Sequence, residues 1–165
     1  MRQLDEILEA VYRKDLPRLE QATLAEVNAS DQDGRTPIMH AVLAEHADPS
    51  IVKLLIARGA DVNTRDKGQK WTALHFAARD QKEQIVRTLL EAKARVDPID
   101  VFGNTPLWRA VSNAAPNPNV VKALLVHGAD PYKKNNYDVA PADIARDTRQ
   151  ASVLALFEGK PQGRG

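Results

Sequence analysis

The sequence of 165 residues contains no cysteine, which excludes disulfide bonds, thiolate zinc sites and cysteine nucleophiles. It has no apolar run long enough to cross a membrane, and its amphipathic, acidic start differs from the basic and then apolar pattern of a secretory leader. A large net charge of either sign is also missing, because 23 lysines and arginines face 22 aspartates and glutamates, for a formal net charge of +1. These absences predict a cytoplasmic protein that attracts neither nucleic acid nor anionic lipid over long distances.

The composition that is present is that of an ordinary soluble globular domain, with 43% hydrophobic and 27% charged residues. The length is sufficient for one domain with an apolar core and too short for two ordinary domains. We therefore expect a single domain over residues 1–160, followed by a frayed tail over residues 160–165.

The chain contains an internal repeat. Four segments align around Thr36, Thr72, Thr105 and Ala140, in steps of 36, 33 and 35 residues. The first three are each followed by a block whose apolar residues have helical spacing, at residues 51–55, 85–90 and 120–125. Turns then close the unit, with Gly59 and Gly128 at positions where a left-handed residue ends a helix. The repeated unit is therefore turn, helix, turn, helix, turn.

Two of these segments carry a family resemblance. Residues 72–78 read T-A-L-H-F-A-A and residues 105–111 read T-P-L-W-R-A-V. Both resemble the T-P-L-H-x-A signature of the ankyrin repeat, whose period is about 33 residues. The resemblance extends over residues 31 to about 158. It implies an all-α ankyrin-repeat solenoid of stacked helix-turn-helix units, with β-turn fingers and capping repeats at both ends. On this alignment the full repeats are residues 31–65, 66–99 and 100–134, and the caps are residues 1–30 and 135–158.

The recurring residue types have physical roles in such a unit. Thr36, Thr72 and Thr105 suit the helix N-cap, because a hydroxyl there accepts from an otherwise unpaired backbone N–H. Pro37 and Pro106 suit the first helical position, where no N–H is needed. Leucine pairs in the second helices would fill the layer between repeats, since each repeat buries its apolar face only against its neighbours.

Three departures from the pattern affect the turns. Residues 45–50 and 112–119 each contain about two extra residues, which predicts loops; these are either tolerated length variation or a raised rim beside a binding groove. Residues 64–71 contain one extra residue and lack glycine two places before Thr72, so we expect a reshaped tip. Lys93 replaces a helix-ending glycine, which costs about 1 kcal/mol if this residue is left-handed.

No arrangement of residues in the sequence points to catalysis, a cofactor or a metal. The four histidines lack the spacing of metal ligands, and there is neither a phosphate-binding glycine loop nor a nucleophile elbow. His75 occupies the motif histidine position, where the resemblance implies that the imidazole bridges backbone groups of adjacent turns. The remaining candidates lie in successive turns and are interpreted as solvated turn residues: Asp31, Asp33, Asp97 and Asp100. We expect a protein that is not an enzyme.

The resemblance implies that a partner binds the concave surface formed by the turn tips and the exposed ends of the first helices. Trp71, Phe102 and Tyr137 fall on consecutive tips, and exposed aromatics are enriched among interface hot spots; the alternative is that each folds back onto the neighbouring turn. Trp108 stands at the motif histidine position and is expected to pack in the groove between repeats. The predicted partner-binding residues are Gln32, Asp33, Arg35, Leu43, Gln69, Lys70, Trp71, Arg79, Asp80, Val101, Phe102, Asn104, Ser112, Asn113 and Tyr137.

A protein of this kind is expected to act by binding another protein. The segments that begin at Gly103, Pro118 and Asn135 look like the small stand-alone ankyrin proteins of bacteria, many of which are thought to be immunity proteins that block a cognate toxin. We therefore expect an immunity or inhibitor protein that occludes a cognate toxin or enzyme. The alternative is an adapter or regulatory scaffold that bridges other proteins without inhibiting them. The interspersed charges argue against a nucleic-acid partner, and neither a membrane nor a small-molecule substrate is predicted.

Overall fold

The computed structural model describes residues 2–113 and 115–158. Over these ranges the chain forms helices joined by turns and loops, without a strand. The helices are α1 (Arg2–Arg13), α2 (Leu16–Glu20), α3 (Leu24–Val27), α4 (Pro37–Leu43), α5 (Pro49–Ala57), α6 (Ala73–Arg79), α7 (Glu83–Glu91), α8 (Pro106–Val111), α9 (Pro118–Val126), α10 (Pro141–Asp147) and α11 (Ala151–Phe157). The tail predicted over residues 160–165 lies outside the described residues.

The helices stack in two layers. In the inner layer α4 packs against α6, α6 against α8 and α8 against α10; in the outer layer α5 packs against α7, α7 against α9 and α9 against α11. At the N-terminal end α1 packs on α4, and α2 packs on α5. The arrangement confirms the predicted all-α ankyrin solenoid, whereas its division into caps and three full repeats at the stated residues stays a prediction.

Threonine and proline start the inner helices where the sequence predicts. Thr105 is the N-cap of α8, and its hydroxyl accepts from the backbone N–H of Trp108 at 3.2 Å. At the start of α6 the imidazole Nδ1 of His75 lies 3.0 Å from the hydroxyl of Thr72. The hydroxyl of Thr36 has no hydrogen-bond partner among the described residues. A local pattern of residues therefore sets where these helices start.

The apolar core runs the length of the stack. Leu55, Leu89 and Leu124 of successive outer helices are fully buried, and each buried leucine stabilises the fold by about 1.5–3 kcal/mol relative to an exposed one. Ile7 closes the core at the N-terminal end, and Phe157 closes it at the other. The solenoid therefore has one continuous apolar core, as stacked repeats require.

Lys93 is left-handed, with φ 64°, at the position after α7 where Gly59 follows α5 and Gly128 follows α9. An L-residue with a side chain pays a steric penalty in this conformation. We therefore expect Lys93→Gly to raise the free energy of unfolding by about 1 kcal/mol in urea denaturation.

Gly128→Ala is the matched control for Lys93→Gly. Gly128 has φ +98°, and a Cβ added there meets no atom within 4 Å, so that change tests the backbone alone. It should lower the free energy of unfolding by about 1 kcal/mol. An unchanged or lower stability of Lys93→Gly would contradict the argument.

Candidate protein-binding surface

Four turns, here called fingers one to four, project from the starts of the inner helices and comprise residues 31–35, 66–71, 100–104 and 135–139. Each begins with an aspartate or asparagine whose side-chain oxygen accepts the backbone N–H of the finger's last residue. The four bonds are Arg35 to Asp31 at 2.8 Å, Trp71 to Asp66 at 2.9 Å, Asn104 to Asp100 at 2.9 Å and Val139 to Asn135 at 3.1 Å. A short polar side chain thus folds every finger.

Neighbouring fingers are joined by backbone hydrogen bonds at equivalent positions. The three bonds run from Lys67 N to Asp33 O at 2.8 Å, from Val101 N to Gln69 O at 3.0 Å and from Asn136 N to Phe102 O at 3.0 Å. Gly34 and Gly103 allow this close approach, because an added Cβ would lie 2.8 Å from Lys67 Cγ and 2.6 Å from Asn136 Oδ1 respectively. The fingers and the inner helices therefore form one continuous surface, which we call the inner surface.

Finger two has the reshaped tip that its extra residue predicts. In fingers one and three a backbone bond closes the turn, from Gly34 to Asp31 and from Gly103 to Asp100. In finger two the N–H of Gln69 instead donates to the Asp66 side chain at 3.1 Å. Lys70 takes the left-handed conformation there, with φ 61°, where those fingers use glycine.

The prediction that Asp100 is a solvated turn residue is wrong. Asp100 is buried, with 4% of its surface exposed. Its carboxylate accepts hydrogen bonds inside finger three. Besides Asn104, it accepts from the N–H of Phe102 at 2.8 Å, from the indole of Trp71 at 3.1 Å and from the Arg109 guanidinium. Burial alone would raise the pKa of this carboxyl, but the hydrogen bonds from Arg109 and Asn104 outweigh it and hold the pKa below its usual value.

Of the other three aspartates predicted to be solvated, Asp33 is exposed, while Asp31 and Asp97 are half-buried. Asp31 holds its finger and lies 2.9 Å from His40 Nε2. His40 in turn lies 2.7 Å from the Tyr12 hydroxyl of α1. Asp97 accepts the N–H of Asp130 at 3.0 Å. These carboxylates therefore join successive units rather than facing solvent.

Trp71 is not an exposed anchor, which corrects the prediction that it contacts a partner from the tip of its finger. Only 6% of its surface is exposed. The indole folds back toward finger three, donates to Asp100 and packs 4.9 Å from the Phe76 ring, centroid to centroid. Burying the ring and pairing its N–H explains why this orientation is preferred to an exposed one.

Three arginines lie over the buried aromatic rings of the inner surface. Arg109 lies 4.7 Å from the Trp71 centroid and 5.3 Å from that of Trp108, and Arg79 lies 5.1 Å from Trp71. We call this set the arginine–aromatic cluster, and its members are Arg35, Trp71, Phe76, Arg79, Trp108 and Arg109. Each cation–π contact contributes about 0.5–2 kcal/mol. Two of the guanidinium groups are also held by carboxylates, Arg79 by Asp80 at 2.6 and 2.9 Å and Arg109 by Asp100.

Apolar side chains are exposed on fingers three and four. Val101, Phe102 and Tyr137 have 43%, 39% and 68% of their surfaces exposed, and the two rings lie 6.5 Å apart. Because Asn136 donates from its side chain to Val101 O at 3.2 Å, the two fingertips are held together. We call these three residues the apolar fingertip patch.

The structure places the predicted partner-binding residues in three classes. Those exposed are Gln32, Asp33, Gln69, Lys70, Val101, Phe102, Ser112 and Tyr137, and those half-buried are Arg35, Leu43, Arg79, Asp80 and Asn113. Trp71 and Asn104 are buried. The prediction that Asn104 is open to a partner is therefore wrong; its side-chain oxygen accepts from Asn135 at 2.7 Å and ties finger three to finger four.

Sequence reasoning missed Phe76 and Arg109. The repeat alignment contains a signal for these two residues. His40, Phe76 and Arg109 occupy the same position in three successive repeats, immediately after the motif histidine position. Trp108, expected in the groove between repeats, is half-buried beneath Arg109.

His75 has the structural role that the motif predicts. It is fully buried, with Nδ1 3.2 Å from the backbone N of Thr72 and Nε2 3.2 Å from the carbonyl of Asn104 in finger three. Burial lowers its pKa to about 4.

Within residues 2–113 and 115–158 no group of three or more histidine and carboxylate side chains could hold a metal ion. In that same part of the chain, none of the helices has the length and apolarity to span a membrane.

The fold and the inner surface together define a repeat protein that presents one continuous face of fingers and helices. The family described as "Ankyrin repeats (3 copies)" matches residues 42–135, and the chain belongs to this family. Domains of this family bind other proteins and are generally non-catalytic.

Three relatives show where such repeats occur. The serine/threonine-protein kinase 12 of Arabidopsis thaliana is 41% identical over 97 residues, which are 59% of this chain and 20% of the kinase. The tyrosine-protein kinase Shark of Drosophila melanogaster is 32% identical over 127 residues, 76% of this chain and 13% of Shark. The CAP-Gly domain-containing linker protein 3 of Xenopus laevis is 31% identical over 134 residues, 73% of this chain and 25% of that protein. The matched region thus spans a quarter or less of each relative.

Proposed function

We propose that this chain is an immunity or inhibitor protein, which binds a cognate toxin or enzyme through its inner surface and neutralises it by occlusion. The observation that carries the proposal is the apolar fingertip patch, exposed on the same continuous surface as the arginine–aromatic cluster. Exposed aromatic groups and arginines are the side chains most often enriched at the centres of protein interfaces.

The arginine–aromatic cluster is suited to recognise acceptor groups. Asp80 engages Nε and one terminal nitrogen of Arg79, and Asp100 does the same for Arg109. Because a guanidinium has five N–H donors, each arginine keeps donors beyond those it uses internally. Stacking and ion pairing hold these donors in place before a partner arrives, which reduces the entropy lost on binding.

The apolar fingertip patch supplies the complementary contact. Phe102 and Tyr137 are exposed but already held beside each other by the bonds between fingers three and four. Covering such rings removes apolar surface from water without ordering long side chains. An occluding protein needs tight binding through a single face, in the nanomolar range or about −12 kcal/mol, and a preformed surface of this kind favours it. The likeness of residues 103–111, 118–125 and 135–141 to stand-alone bacterial ankyrin proteins supports the immunity role.

An adapter or regulatory scaffold is the second candidate. It is favoured by the relatives, in which the matched repeats make up 13–25% of longer proteins named as kinases or a linker protein. An adapter needs two separate binding faces, whereas an inhibitor needs one. The stoichiometry and the number of captured partners therefore separate the two functions.

The test is capture of partners from the native host lysate, with mass spectrometry of the bound proteins. The wild-type chain is compared with the variant Phe102→Ala/Tyr137→Ala, after both are shown to fold. Leu24→Ala/Val126→Ala is the matched control, because those side chains are exposed and apolar but lie outside the fingers. We expect one stoichiometric partner that the control retains and the fingertip variant loses.

The outcomes separate the candidates. Inhibition of the captured partner's activity supports the immunity role, and several substoichiometric partners without inhibition support the adapter. A partner that the fingertip variant binds as well as the wild type does would overturn the proposed site and move it to the outer helices or to the loops at residues 44–48, 112–113 and 115–117.

A further inference from the structure

Finger two is a cluster of cations. Arg65, at its base, and Lys67 and Lys70 are all exposed. The one acid of this finger, Asp66, is buried and occupied by the backbone N–H groups of Gln69 and Trp71, at 3.1 and 2.9 Å. Within the described ranges, none of the three cations takes part in an ion pair. We call Arg65, Lys67 and Lys70 the cationic finger cluster.

The cationic finger cluster lies directly beside the apolar fingertip patch. The bond from Val101 N to Gln69 O, at 3.0 Å, joins the fingers that carry the two features. Among the described residues of the four fingers, the exposed acidic side chains lie beyond these two features: Asp33 is on finger one, and Asp138 on finger four is paired with Lys134 at 2.9 Å. Along the fingertips the surface therefore changes from cationic to apolar, with one acid at each end.

We propose, on the basis of the protein-binding function above, that the partner contributes an extended acidic segment followed by an aromatic or aliphatic side chain. Its carboxylates face the cationic finger cluster, and its apolar group covers Phe102 and Tyr137. Packed helices lie about 8–10 Å apart, so fingers two to four span about 20 Å. An extended chain covers this distance with about six residues. A segment of about six residues, with two or three acidic residues and one apolar residue, is therefore long enough to reach both features.

A protein segment suits this surface better than a nucleic acid does. A phosphate backbone would place regularly spaced charges along all four fingers, where it would meet the carboxylates of Asp33 and Asp138. Asp33 and Asp138 would repel phosphates, and the apolar fingertip patch supplies no cation. A phosphate backbone would therefore be attracted only at finger two. Local complementarity of charge and apolar surface is typical of a protein interface.

The test is a selection of random twelve-residue peptides displayed on phage against the immobilised full chain. We expect selected peptides to contain aspartate or glutamate close to an aromatic or aliphatic residue. The variant Arg65→Gln/Lys67→Gln/Lys70→Gly removes the cations, and glycine suits the left-handed backbone at position 70. The control Lys53→Gln/Arg95→Gln/Lys122→Gln removes the same charge from exposed positions away from the fingers.

Selection on the control should still favour acidic residues, whereas selection on the finger variant should lose this preference and keep the apolar one. A synthetic selected peptide should bind the finger variant about tenfold more weakly, since the cluster provides a few exposed charge contacts. The inference is overturned if no peptide is enriched, if acidic residues are not favoured, or if the finger variant selects the same peptides. Tighter binding of a single-stranded DNA oligonucleotide than of the peptide also overturns it. Another outcome is a host partner that is lost when Phe102 and Tyr137 are changed and still binds the finger variant as well as it binds the wild type. That result would leave the proposed function intact and refute only the acidic chemistry inferred for the partner.

Discussion

Asp100→Ala is expected to lower the free energy of unfolding by about 3 kcal/mol, measured by urea denaturation at neutral pH. The substitution leaves the Arg109 guanidinium and the Trp71 indole N–H without their shared acceptor, and it removes the bonds that fold finger three. Arg109 has only 19% of its side chain exposed, so its charge would lose its partner without becoming fully solvated, which is costly. The side-chain hydrogen bond from Trp71 of finger two to finger three is lost as well, whereas the backbone bond from Val101 to Gln69 remains.

Two control variants separate the parts of this effect. Asp100→Asn keeps an oxygen that can fold the finger, as Asn135 does in finger four, and loses the acceptor for Arg109 and Trp71. It should therefore be intermediate in stability. Asp33→Ala removes an exposed carboxylate and should change stability by less than about 0.5 kcal/mol. An Asp100→Ala protein as stable as Asp33→Ala would show that the buried carboxylate does not hold the fingers together.

The stability of the wild-type chain is expected to fall by about 2 kcal/mol between pH 7.5 and pH 5 because of His75. Burial lowers the pKa of this imidazole from 6.5 to about 4 in the folded chain. The unfolded chain therefore binds a proton near pH 6.5, and the folded chain does not until the pH approaches 4. The stabilisation is complete above pH 6.5 and is lost as the pH falls below it.

His75→Gln provides the comparison, because glutamine at the third helical position can still reach the backbone N–H of Thr72 but does not titrate. This variant should be less stable than the wild type at pH 7.5, with a flatter dependence on pH down to 5. His46→Gln changes an exposed histidine and should keep the wild-type slope. Equal slopes for the wild type and His75→Gln would mean that His75 takes up its proton over the same pH range in the folded and the unfolded chain, which contradicts a lowered pKa in the folded state.

The repeat could be predicted from the sequence because its determinants are local and recur. Threonine at the N-cap and proline after it act within one helical turn, as at Thr105 and Pro106. The alignment of Lys93 with two glycines indicates, for the same reason, a position that favours a left-handed residue, and Lys93 is left-handed.

The composition of the inner surface could not be predicted to the same extent. Trp71 is buried because an acceptor lies on Asp100, 29 residues away, and because Arg79 and Arg109 lie over its ring. These contacts depend on how closely adjacent fingers approach, which sequence spacing does not specify. Phe102 and Tyr137, by contrast, remain exposed.

The proposal that the partner binds the inner surface is tested most directly by amide hydrogen exchange of the chain with and without its captured host partner. Binding should slow exchange at residues 99–104 and 135–139 and along the start of α8, while α5, α7 and α9 keep the exchange rates of the free chain. Slowed exchange confined to the outer helices, with the fingers unchanged, would contradict the account.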